Sequence, residues 1–142
     1  VTQDYYGTKR VQAWPQDKDG QSGYAVKYSD GYISWSPKNV FETAYKPVTS
    51  MNFGHAVEAL KSGHRVARAG WNGKNMFLVL VPGSIGLTVD EGRPLAKAGV
   101  PVGTVFDYLP HIDMFTTTGS FVPWQASQTD VLAEDWTIVN AA

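Results

Sequence analysis

The 142-residue chain contains no cysteine. That absence excludes disulfides, thiolate metal sites and a cysteine nucleophile, and it fits a reducing cytosol. A charge imbalance is also missing. With 12 basic and 13 acidic side chains the formal net charge is -1, so the positive field on which DNA and RNA binding depend is not there. Long nucleic acid is therefore not an expected partner, whereas a small anionic ligand fits, because a few placed cations suffice for one or two phosphates. No apolar run approaches the roughly 18 to 20 residues of a membrane span. The longest, "MFLVLVPG" at residues 76–83, reads as a buried strand, and no membrane partner is expected. Nor does a basic start lead into an apolar stretch with a small-residue cleavage site, so nothing indicates secretion.

What the chain does have is aromatic surface. Five Trp, seven Tyr and six Phe are many for this length, and aromatic side chains either fill cores or stack on flat ligands. Hydrophobic residues make up 43% and charged residues 18%, a globular composition. The length predicts one compact domain or two very small ones sharing an interface.

The spacing of apolar and turn residues predicts an α+β fold: short antiparallel strands with one main helix in the C-terminal part, after a small hairpin-plus-helix unit. In the N-terminal unit, residues 1–46, "TKRVQAWP" reads as a strand. Tyr24, Val26 and Tyr28 alternate before an Asp30-Gly31 turn, which predicts a hairpin. Ser36 and Pro37 read as a helix start, with the helix running to about Tyr45. "KPVTS", residues 46–50, reads as a linker. The second unit, residues 51–142, opens with Asn52 capping a helix that buries Phe53, Ala56, Val57 and Leu60 and ends at Gly63. Strands follow at "HRVARA" and "MFLVLV". A loop of five glycines and three prolines runs from Pro82 to about Gly103. Strands around residues 111–116, 120–122 and 136–139, with a one-turn helical piece at residues 125–133, complete the expectation.

Three stretches carry residues suited to chemistry. "PHIDM" places His111 and Asp113 on one side of a strand, where they fit a metal pair, an acid-base pair, a hydrogen-bonding clamp, or merely a tie for a loop. Metal binding needs three or four ligands, and His55 and His64 have no ligand spacing with this pair. "VARAGWNGK" sets Arg68 before a Trp71-Asn72-Gly73 turn, where a base or ribose could dock or a tight hairpin could pack Trp71 inward. Arg65 and Arg68 fall on opposite sides of the strand, so they do not form one clamp. "PWQASQTDVLAEDW" encloses Ser127, Gln128, Thr129 and Asp130 between Trp124 and Trp136. The tryptophans read as scaffold. The polar run suits a base edge or ribose hydroxyls, and suits equally a turn that caps a short helix. No nucleophile-elbow pattern surrounds Ser127.

The segments "MNFGHAVEALKSG", "VARAGWNGKNMFLVLVPGS", "PHIDM" and "VPWQASQTDVLAEDW", in that order across residues 51–140, resemble the phage Thoeris anti-defence protein two family. The resemblance implies a sponge for an immune signalling nucleotide: a non-enzymatic protein in the cytoplasm of the infected bacterial host. Its ligand would be glycocyclic ADP-ribose made by TIR-domain proteins, with CBASS cyclic dinucleotides held by some members at a separate site. It further implies a homotetramer with pockets where protomers meet, and no cofactor or metal. Carried over by position, the ligand-binding candidates are Phe53, Arg68, Trp71, Asn72, Gly73, His111, Asp113, Trp124, Ser127, Gln128 and Asp130. The extra N-terminal unit and a longer loop around residues 90–102 depart from the family's shortest form. Two rivals stand beside this expectation: a nucleotide-cleaving enzyme using His111 and Asp113, and a phage structural or protein-interaction module.

Overall fold

The computed structural model describes residues 1–71 and 75–139. Its first sheet is antiparallel, in the order β4-β3-β2-β1-β5, from β1 (Gln3–Tyr6), β2 (Arg10–Pro15), β3 (Gly23–Lys27), β4 (Ile33–Pro37) and β5 (Lys46–Pro47). Helix α1 (Lys38–Ala44) covers one face and buries Phe41 against Tyr5, Val11, Ala13 and Val26. The Asp30-Gly31 hairpin forms as its turn chemistry dictates, with Gly31 at φ 89°. The helix start differs from expectation. Ser36 stays paired with Tyr24 in β4, Pro37 takes the cap position, and no side chain caps the helix. Strand pairing persists to the last residue before the helix, which leaves Ser36 in β4 rather than at the cap position, and Lys38 N–H donates to the Ser22 carbonyl instead.

Residues 46–50 are likewise not a free linker. Lys46–Pro47 pairs with β1 at the sheet edge, where a proline is tolerated because its missing N–H faces outward. Val48 donates to the Asp4 carbonyl and accepts from Ile138 of the last strand. Adjacent strand residues point to opposite faces, and in β1 the consequence is large: Tyr5 enters the first core while Tyr6, fully buried, enters the second. The Tyr6 hydroxyl donates to the Glu58 carbonyl at 3.1 Å and shares a 2.8 Å hydrogen bond with Ser62.

The second sheet is antiparallel in the order β11-β10-β7-β6-β12. Its strands are β6 (Arg65–Arg68), β7 (Phe77–Val81), β10 (His111–Phe115), β11 (Phe121–Pro123) and β12 (Trp136–Val139). Helix α2 (Phe53–Lys61) lies on one face, started by the Asn52 side chain accepting from His55 N–H and stopped at Gly63, φ 89°. Its Ala56, Ala59 and Leu60 pack on Val66, Leu78, Trp136 and Ile138. In β7 only Leu78 is fully buried, so this strand is covered on one side rather than two.

Residues 82–103 are more ordered than their glycine and proline content predicts. Strand β8 (Ser84–Thr88) pairs with β9 (Val105–Tyr108) across a bulge, and α3 (Pro94–Lys97) sits between them. The bulge and Gly86 break the period-2 pattern by which a strand is recognised. A short helix α4 (Gln128–Leu132) precedes β12. The fold is α+β, mainly antiparallel strands, with α1 and α2 the two helices of seven residues or more among the described residues. Among the described residues no helix is long and apolar enough to cross a membrane.

Candidate functional site

Antiparallel pairing of β6 with β12 sets Arg68 opposite Trp136, which brings Asp135 and the end of α4 to the same edge. Arg68 Nε donates to Asp135 at 2.9 Å and its Nη1 to Asp130 at 3.0 Å. Asp135 also accepts from Gly70 N–H at 3.0 Å, which holds the entrance of the turn that follows β6. Asp130 closes a capping box: its carboxylate accepts from Ser127 N–H and hydroxyl, while the Ser127 oxygen accepts from Asp130 N–H. Burial pushes the Asp130 carboxyl up, but donors from Ser127 and Arg68 outweigh it and hold it below the usual carboxylate range. Asp135 is lowered in the same way, burial being outweighed by Arg68 and Gly70. The two carboxylates push Arg68 further up, Asp135 foremost.

Under this polar edge lies an aromatic cluster centred on Trp136, which is fully buried and donates its indole N–H to the Asp130 carbonyl at 2.9 Å. Phe53, Trp71 and Trp124 surround it with ring centres 5.5, 5.6 and 6.0 Å away, Trp71 and Trp124 edge-on. Trp136 is scaffold, as its position between apolar neighbours suggests; Trp124 and Trp71 are half-buried.

The structure thus gathers Phe53, Arg68, Trp71, Trp124, Ser127, Gln128 and Asp130 at one edge, from segments up to 77 residues apart (Phe53 to Asp130). Gln128 and Thr129 are exposed there. Asn72 and Gly73 lie outside the described residues. His111 and Asp113 lie elsewhere. Strand alternation turns them to the face opposite α2, His111 opposite Val81 and Asp113 opposite Val79. The pair is 3.6 Å apart, too long for a hydrogen bond. His111 instead engages the Leu109 carbonyl at 3.0 Å. Sequence reasoning missed Asp135 and Gly70. Asp135 is one of several carboxylates in its segment, and only the β6–β12 register singles it out. Among the described residues no group of three or more His, Asp or Glu could hold a metal ion.

Chemically, one guanidinium engaged by two carboxylates makes a rigid joint with no spare positive charge. Beside it stand hydroxyl, amide and indole groups on a firm apolar base, an arrangement suited to holding a polar, flat ligand. The domain that carries it is of the phage anti-defence class. The chain belongs to the Thoeris anti-defense 2-like family, whose domain matches residues 51–139. It is 46% identical over 94 residues to Thoeris anti-defense 2 of Bacillus phage SP01, covering 65% of this chain and 98% of that relative. Residues 1–50 lie outside the family match.

Proposed function

We propose that this protein captures an immune signalling nucleotide of the glycocyclic ADP-ribose type in the infected host's cytoplasm and releases it unaltered, acting as a homo-oligomeric sponge. The observation that supports this is the joint between Arg68, Asp130 and Asp135, which together with the Asp135–Gly70 bond holds the end of β6 and Gly70 against the Ser127–Asp130 run. A sponge has to compete for a nanomolar signal, about -12 kcal/mol. A preorganised pocket gains most because little ordering remains to offset at binding. In this reading Trp71 stacks on the base and Gln128 and Thr129 read ribose or base edges. Arg68 positions rather than binds, since its charge is already engaged.

Turnover by His111 and Asp113 is disfavoured by the same geometry. A cleaving enzyme needs an acid or base within reach of the bound ligand, and His111 and Asp113 face the other side of the sheet. To test the reading, excess protein is incubated with glycocyclic ADP-ribose and filtered, and the retained protein is then heat-denatured. Ligand missing from the filtrate and recovered intact after heating is the expected result. A degradation product would make the protein an enzyme. Ligand left free and unchanged would sink the glycocyclic ADP-ribose assignment and move the test to cyclic dinucleotides.

A further inference from the structure

The first sheet has an open seam. Its β1 pairs with β2 out to Tyr6 and Arg10, and β3 pairs with β4 out to Lys27 and Ile33. Between these two hairpins, β2 pairs with β3 only as far as Gln12 and Lys27. The next residues in register, Arg10 and Ser29, exchange no backbone hydrogen bond. The turn explains the break. Tyr28 N–H donates to the Tyr32 carbonyl and Gly31 N–H to the Tyr28 carbonyl, both at 2.9 Å, which commits Ser29 to the hairpin turn before it can continue the ladder with β2.

Ladder alternation fixes where the freed groups point. Gln16 N–H donates to the Gly23 carbonyl at 2.8 Å, so the bonded pairs of this ladder are Gln16 with Gly23, Trp14 with Ala25 and Gln12 with Lys27, and Arg10 with Ser29 comes next. The backbone N–H and C=O groups of Arg10 and Ser29 therefore face the seam, and they take part in no backbone hydrogen bond among the described residues. A cavity of about 540 Å³ lies there, bordered by Asp4, Arg10, Gln12, Lys27, Tyr28 and Ser29.

Side chains make the seam net positive. Arg10, Gln12 and Lys27 stand on one face of the sheet, because Gln12 is paired with Lys27 and lies two residues from Arg10. Arg10 gives one N–H to Asp4 at 2.9 Å and is still 32% exposed. Lys27 is exposed and takes part in none of the ion pairs among the described residues. Lys9, its ammonium 4.5 Å over the Tyr28 ring, adds a third cation at the rim. Against these stand Asp4 and Asp30, and Asp30 already accepts from Tyr32 N–H at 2.9 Å.

We infer that the seam between β2 and β3 receives an extended, acidic segment of a partner polypeptide. A phosphate or a free carboxylate could serve only the N–H groups. An extended polypeptide backbone brings a donor and an acceptor on the same residue, which matches both kinds of group left open beside Arg10 and Ser29. The incoming residue opposite Arg10 projects its side chain onto the face that carries Arg10 and Lys27. An Asp or Glu there meets the cations, so the backbone supplies affinity and the acidic side chain supplies selectivity. This inference goes beyond the sponge reading. The seam lies in residues 1–50, outside the family match and on a different sheet from the Trp71 edge, and its role holds for any nucleotide.

The test is a titration of the isotope-labelled full chain with acetylated, amidated pentapeptides that carry Asp or Glu at the centre and Val, Ile or Thr beside it. The amide resonances of Arg10 and Ser29 should shift, and their hydrogen exchange should slow about tenfold or more at saturation. Methylating the central amide nitrogen of the peptide should weaken binding about tenfold, a reading that depends on no protein variant. Lys27→Glu should weaken it by a similar factor and Lys27→Arg should retain it, with unchanged amide resonances in the second sheet showing that each variant folds. Four results would each overturn the inference: no shift at Arg10 and Ser29 with any of these peptides, equal binding of the methylated peptide, equal binding of peptides with Lys at the centre, or a folded Lys27→Glu chain of unchanged affinity. The same shifts produced by inorganic phosphate or acetate at equal concentration would also overturn it, by making the seam a simple anion site.

Discussion

Arg68 and Asp130 are 62 residues apart in the chain and 3.0 Å apart in space. With Asp135 they form the joint between the β6 turn and α4, and their side chains are mostly buried, 22% and 13% exposed. Hydrogen bonds to charged groups contribute about 1.5 to 3 kcal/mol each, and removing one partner leaves the others uncompensated.

Replacing Arg68 by Met should therefore lower stability by roughly 2 to 4 kcal/mol. Urea unfolding would show this as a lower midpoint at unchanged slope. The pH response should change with it. Asp130 and Asp135 are held below the ordinary carboxylate value of 3.8, so their contribution is complete above that value and is lost as pH falls through the lower, folded one. Arg68→Met should flatten this acid-side loss. An unaltered acid limb would mean that Arg68 does not hold these carboxylates ionised.

Ser127→Ala removes half of the capping box. The expected cost is about 1 kcal/mol. Ligand affinity should fall with it if α4 positions Gln128, and Ser127→Thr, which keeps the hydroxyl that both donates to Asp130 and accepts from its N–H, should recover both. Calorimetric titration beside thermal melting separates the two effects.

Tyr6 joins the N-terminal unit to α2 through its hydroxyl, bonded to the Glu58 carbonyl and to Ser62. Tyr6→Phe and Ser62→Ala should each cost about 1 kcal/mol. The double variant should cost less than their sum, since they share one hydrogen bond. Strict additivity would show that the contact contributes nothing.

His64 packs edge-on against Tyr6 at 5.9 Å. Burial, aided by Arg10, lowers its pKa from 6.5. Below that value the unfolded chain binds a proton that the folded chain takes up only at lower pH. Stability should thus be complete above pH 6.5 and decline as pH falls toward the folded value. His64→Gln should remove this slope in urea midpoints measured from about pH 7 to pH 5.

Local chemistry made several elements legible. Asn52 and Gly63 bound α2 because one supplies an acceptor for free N–H groups and the other tolerates φ 89°. Asp30-Gly31 specifies a hairpin turn for similar reasons. Residues 82–103 were not legible, because a bulged strand and a four-residue helix lack the repeats by which strands and helices are recognised. Ser127 and Asp130 were legible as either a reading surface or a cap. In the fold they cap, which still leaves Gln128 and Thr129 facing solvent.

By itself, then, the sequence determined the α+β class, the main helix, most strands and the resemblance to the anti-defence family, because these rest on contacts within a few residues and on motifs kept in order. Tertiary structure alone decided which carboxylate meets Arg68, that Tyr5 and Tyr6 serve two different cores, and that His111 and Asp113 lie across the sheet from Trp71. Those outcomes depend on strand register and on which face of a sheet is covered. Both are set by pairing between distant segments, and a shift of one residue would reverse every side chain involved.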